Sequence, residues 1–163
     1  MRFYAFLIFL LFSLDAFTQD SFSIQLNTVV KDTTTGFKEI RGDFDKKKSV
    51  YRPRFQIDST IDGKVYDVRT RSYCTAEIEG SSSKDSIVTA SLLPHWKQKI
   101  ANALGPAFKI EKAKAPAGFK AYFGGGYIFS HGRLFITLEH WKGFPNDETI
   151  HFLRIFIMYK PGI

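Results

Sequence analysis

Cysteine is almost missing from this chain: Cys74 stands alone in 163 residues, so no intramolecular disulfide can brace the fold and the core must hold it unaided. No histidine or acid adjoins Cys74 in sequence and it sits among alternating strand residues, which reads as a buried thiol rather than a nucleophile. Also missing are the short patterns that carry common chemistry. There is no H-E-x-x-H, no paired-cysteine metal motif and no nucleophile elbow. Gly124-Gly125-Gly126 lacks the helix start and the Lys-Ser/Thr or acid of a phosphate cradle, and its aromatic flanks, Phe123 and Tyr127, make it a strand bend or bulge. These absences point away from an enzyme, and no cofactor is implied. Acidic residues are comparatively few, 16 against 23 Lys plus Arg, for a net charge of +7.

What is present begins with an apolar run. Residues Met1 to Thr18 place a basic Arg2 before Phe3–Leu14 and small residues before Gln19, the pattern of an export signal, 1–18, followed by a single domain, 19–163. The run is too short to span a bilayer comfortably, so the expectation is cleavage near Thr18, no transmembrane segment afterwards, and a periplasmic or extracellular location, with an uncleaved N-terminal anchor as the alternative. Removing it deletes Arg2 and Asp15 together, so the base excess belongs to the folded part.

Most of the remainder alternates with the period of strands. Ser21–Val30 sets Phe22, Ile24 and Leu26 against polar neighbours; Phe37–Arg41, Val50–Ile57, Lys64–Ile78 (one long bent strand or two in succession), Phe108–Ala113, Phe119–Phe123, Tyr127–Ser130, Arg133–Trp141 and Thr149–Lys160 follow. Turns are expected at Asp32–Gly36, Asp58–Gly63, Pro116–Gly118 and His131–Gly132. Ser83–Leu104 is the exception. Thr89, Leu93, Trp96, Ile100, Ala103 and Leu104 share one stripe, and Gly105-Pro106 stops the helix. Pro94 predicts a kink or a helix that begins near Leu93. With no repeated strand-helix-strand units and no internal repeat, the fold class is α+β: a mostly antiparallel sheet of about six to eight strands with one amphipathic helix on one face.

The exported leader, the F-K-E-I-R-G segment at Phe37–Gly42, the strand pair after it, the single helix following a Ser-rich turn and the terminal aromatic hairpin resemble uncharacterised small secreted α+β proteins of Gram-negative bacteria. That family commonly carries a cysteine pair, which this chain lacks, and has no assigned activity from which site residues could be carried over.

Two constellations suggest sites. A hairpin turning at Thr60-Ile61 would place Arg52 opposite Arg69 and Arg54 opposite Asp67, with Arg71 continuing an anion-binding row suited to phosphate or carboxylate. A last hairpin centred between Pro145 and Asn146 would pair Leu138 with Leu153 and set His140 opposite His151, a possible metal pair if Glu148 reached in. The functional expectation is an exported binding protein without catalytic activity, whose basic and aromatic surface engages an anionic envelope component or an acidic protein and no specific nucleic acid. A carrier with an apolar pocket between helix and sheet, suggested by seventeen phenylalanines, is the alternative, and an envelope hydrolase the third reading.

Overall fold

A computed structural model describes residues 20–68 and 71–160, so the expected export signal lies outside the described residues. The described chain is α+β. Eight strands form one antiparallel sheet: β1 (Arg41–Asp45), β2 (Val50–Pro53), β3 (Thr60–Val68), β4 (Arg71–Ile78), β5 (Lys109–Lys112), β6 (Phe123–His131), β7 (Leu134–Gly143) and β8 (Ile150–Tyr159). Their order across the sheet is β1-β2-β3-β4-β8-β7-β6-β5. Three helices accompany them, α1 (Ser21–Asp32), α2 (Ser86–Ser91) and α3 (Leu93–Leu104). Topologically this is one unit used twice, helix then four-strand meander, with the two meanders joined through their last strands. The duplication is architectural and leaves no trace as a sequence repeat.

The first segment corrects the sequence expectation, for Ser21–Val30 is helix and not strand. Phe22 and Leu26 satisfy both periods; Val29, seven residues after Phe22, is buried with them, whereas Ile24, on the expected strand face, is 52% exposed. Asp20 starts the helix, its carboxylate accepting from the Ser23 N–H at 2.6 Å. Phe22, Leu26 and Val29 meet the stripe expected of the other helix, now seen as Trp96, Ile100 and Ala103, with the Phe22 and Trp96 rings edge to face at 5.5 Å. That stripe also lies over β6 and β7, joining the rows Leu134, Ile136 and Leu138 of β7 and Leu153, Ile155 and Ile157 of β8 in one core.

Pro94 has the effect its chemistry predicts. Asp85 caps α2, the helix breaks at Leu92, and α3 restarts with Pro94 in its first turn, where no backbone donor is needed. Other expected strands shift. Phe37–Ile40 is turn and β1 starts only at Arg41, whereas Lys64–Ile78 takes the second of its two expected forms, two strands in succession, β3 and β4. Phe119–Tyr122 belongs to the loop before β6. Asp62-Gly63, expected to close a hairpin, instead makes an irregularity inside β3, between Ile61 and Lys64.

The turn after α1 depends on a buried acid. Asp32 is 4% exposed, and its carboxylate accepts the N–H groups of Glu39 and Ile40, each at 3.0 Å, and the Thr35 hydroxyl. This brings the backbone back so that Phe37 and Ile40 enter the core. Asp32→Ala strands two amide donors and is expected to cost about 2–3 kcal/mol, whereas Thr34→Ala at an exposed position should change stability by less than about 0.5 kcal/mol. Urea unfolding of the two variants checks this, and equal midpoints would contradict it.

Candidate anion-binding groove and histidine pair

The helices cover one face of the sheet. On the other face Tyr66, Tyr73 and Phe156 stack across β3, β4 and β8 with ring centroids 4.5 and 4.9 Å apart, close to the spacing of the strands themselves. The middle ring, Tyr73, therefore has both faces covered by its neighbours. Farther along the same face the Arg154 guanidinium lies 4.8 Å from the Trp141 ring centre and 3.5 Å from Glu139, to which the Trp141 N–H donates at 2.5 Å.

At the β2 side the arginine row is present in part. Tyr51 pairs with Val65, so Arg52 is carried opposite Lys64 and not Arg69, and Arg54 does not face Asp67. The expected register fails by five residues because β2 ends at Pro53 and the turn falls at residues 54–59, so that Asp62-Gly63 lies inside β3. Asp67 is engaged elsewhere, in an ion pair with Arg41 at 2.8 Å. Arg71 is exposed and opens β4 opposite Val68, at the far end of β3, while Arg69 lies outside the described residues.

Arg52 and Arg54 nonetheless line one groove, a cavity of about 480 Å³ shared with Lys48, Lys64, Asp45 and Asp62. Two of its cations have acids at hand. Arg52 reaches Asp45 at 3.4 Å with its side chain 75% exposed, and Lys64 pairs with Asp62. Among the described residues Arg54 and Lys48 form no ion pair within 4.0 Å. The Asp45 carboxyl is held below the ordinary carboxylate range, first by the backbone N–H of Lys48 and then by Arg52, so it stays charged at neutral pH. Four cations against two carboxylates leave a net positive groove. Its floor requires Gly63, where a Cβ would stand 2.9 Å from the ring of Pro53. Lys48 and Lys64 were not legible as site residues, since only folding brings a charged turn and a bulge beside the arginines.

The histidines meet despite a shifted register. Leu153 lies opposite His140 and Lys142 opposite His151, two residues from the expected pairing. A slip of two keeps every side chain on its face, so the rings become diagonal neighbours, with His140 Nε2 3.1 Å from His151 Nδ1. His140 is 3% exposed and its Nδ1 has no hydrogen-bond partner. Gly124 seals that side: a Cβ there would fall 2.3 Å from Nδ1. The His140 ring is pushed below the usual imidazole range, chiefly by burial and then by His151. Glu148 pairs with Lys84 at 2.9 Å, and among the described residues no third His, Cys, Asp or Glu completes a metal cluster. Cys74 is buried, and burial pushes its thiol up to about 12, which makes it a packing residue.

No protein-family model, curated protein or solved structure matches this chain.

Two outcomes follow from the histidine pair. Gly124→Ala should destabilise by about 1–3 kcal/mol through overpacking against the ring, read from thermal or urea unfolding. On acidification the unfolded chain protonates its imidazole near the ordinary value of about 6.5 while folded His140 resists. The unfolded state then binds more protons, so stability falls as pH drops from there towards the depressed folded value. The urea midpoint should be lower at pH 5 than at pH 7, and His140→Gln should flatten that difference; an unchanged slope would remove His140 as its source.

Proposed function

We propose that this is an exported binding protein whose β2–β3 groove holds a phosphate- or carboxylate-bearing group of an envelope component. The observation that supports this reading is the meeting of Lys48, Arg52, Arg54 and Lys64 around one groove with only Asp45 and Asp62 to offset them. Arginine's planar fork can hold two oxygens of such a group, and the flexible lysines can follow its charge. The bulge at Asp62-Gly63 and the turn carrying Lys48 bring cations from separate parts of the chain to one place, so the charge is concentrated there rather than spread along a strand. A carrier of apolar molecules finds less support, because Ile100, Phe129, Ile136 and Leu138 fill the interior between α3 and the sheet.

An exposed, screened site gives binding that depends steeply on salt. Retention of the protein on anionic envelope extract should fall about tenfold in Arg52→Ser plus Arg54→Ser at low salt, taking about 0.7 kcal/mol for each exposed contact. Arg71→Ser, away from the groove, should retain like wild type. Equal retention of the double variant and wild type, both folded by circular dichroism, would remove the groove from any account of function.

A further inference from the structure

The loop from Ala113 to Tyr122 has an unusual composition for a surface connection: A-K-A-P-A-G-F-K-A-Y holds no acid, no amide and no aliphatic hydroxyl, and only Lys114, Lys120 and the Tyr122 phenol are polar. Loops normally satisfy water with Ser, Asn, Asp and Gly. This one presents aromatic rings. Phe119 is 52% exposed and Tyr122 41%, and beside them Phe144, from the β7–β8 connection, is 50% exposed.

The three rings are held in place. Phe119 stands edge to face on Trp141 with centroids 6.0 Å apart, and Tyr122 meets Phe144 in the same way at 5.8 Å. The Lys142 N–H donates to the Tyr122 carbonyl at 2.8 Å, fixing the loop to β7, and the Lys142 ammonium lies 5.1 Å from the centre of the Phe144 ring. Aromatic tips are thus interleaved with Lys114, Lys120 and Lys142. The nearest acids in sequence are Glu111 before the loop, Glu139 before Lys142, and Asp147 and Glu148 after Phe144; Glu111 pairs with Lys109, Glu139 with Arg154 and Glu148 with Lys84.

Three half-exposed rings offer on the order of 300 Å² of apolar surface, taking roughly 200 Å² for a whole ring side chain. That is well below the roughly 800 Å² per partner of a stable protein interface. A membrane interface has no such threshold. It accepts a few aromatic side chains at headgroup depth, while lysines lay their stems on the apolar zone and their ammonium groups among anionic headgroups.

We propose that the Ala113–Tyr122 loop, with Phe144, docks this protein on the surface of a bilayer containing anionic phospholipid. The rings enter the interface and the three lysines meet the headgroups. This site is at the opposite side of the sheet from the β2–β3 groove and is independent of it.

The test uses the full chain with vesicles of phosphatidylglycerol and phosphatidylcholine carrying brominated acyl chains, and reads Trp141, which touches Phe119. The Trp141 signal is the difference between wild type and Trp141→Phe, which leaves Trp96 in the core. Quenching of Trp141 is expected on mixed vesicles and should be weaker on phosphatidylcholine alone. Phe119→Ser plus Phe144→Ser should reduce it about fivefold, as loss of two interfacial anchors implies. Lys114→Gln plus Lys120→Gln, at exposed positions, should remove most of the advantage of the anionic lipid, Lys142 keeping the rest. Trp141 emission that brominated vesicles leave unchanged while the protein co-sediments with them would overturn the proposal, as would quenching indifferent to both double variants. A concentration-dependent dimer abolished by the aromatic double variant would assign the rings to self-association instead. The Arg52 and Arg54 substitutions should leave Trp141 quenching unaltered, which separates this site from the groove.

Discussion

The pairing of β4 with β8 is where two half-folds become one. Each half is a helical segment followed by a meander of four strands, and each meander by itself would expose the edge of its last strand and half of a core. Cys74 pairs with Ile157 and Ala76 with Ile155, and these side chains all point to the helical face. The seam extends past the strands. Ser81 is buried, its hydroxyl accepting the Leu153 N–H at 3.0 Å and donating to the Ile78 carbonyl at 2.7 Å, while Ser83 continues the pairing with His151 as an isolated bridge. Thr89, fully buried, donates to the Ser81 carbonyl at 3.1 Å and so ties α2 to the same junction. The strands it joins are some eighty residues apart in the chain, so loop-closure entropy opposes their pairing until both meanders have formed much of their own surface.

That junction also distributes exposure. Both helical segments reach the same side, where α1 and α3 pack on each other and Asn27 holds the Ala103 carbonyl at 3.0 Å, capping the end of α3. The opposite face is left with a ladder of rings and the Glu139, Trp141 and Arg154 cluster. The lateral edges are short and charged: β5 reads Lys-Ile-Glu-Lys and β1 Arg-Gly-Asp-Phe-Asp, which discourages further strands from adding. Surface chemistry is thereby concentrated at two sides, the cationic groove by β2 and the aromatic loop before β6.

What could be read from the sequence was what depends on face and not on partner. Alternation in β7 and β8 named the buried rows, because a two-residue period survives any slip of two; Leu138 and Leu153 are both in the core although they do not pair with each other. A helix beginning near Leu93, one of the two outcomes that Pro94 allows, and the burial of Cys74 were expected from backbone chemistry and from the residues around the thiol. α1 was not, since Phe22, Ile24 and Leu26 fit alternation over a short window and only Val29, docked against the second helix, separates the two periods. The β2–β3 register was out of reach for another reason. An Asp-Gly pair can close a hairpin or bulge a strand, and here it lies within β3, where Gly63 leaves room for Pro53.

Both candidate sites sit beside such an irregularity: residue spacing named His140 with His151 and Arg52 with Arg54, but not what surrounds them. Beside Asp62-Gly63, the turn falls earlier than expected, between Pro53 and Thr60, so Arg52 lies beside Lys64 with Asp62 lining the same groove in place of the expected arginine pair. Between Phe123 and Gly125 the bulge lets the backbone of Gly124 close over His140, so the imidazole is sealed on one side and meets His151 on the other. Metal ligation asks for nitrogens with room for an ion and further ligands, whereas the His140 ring is already occupied at Nε2 and closed at Nδ1. Its chemistry is therefore that of a buried neutral base coupled to one neighbour. The groove is the reverse case: it opens to solvent, and two of its cations form no ion pair among the described residues.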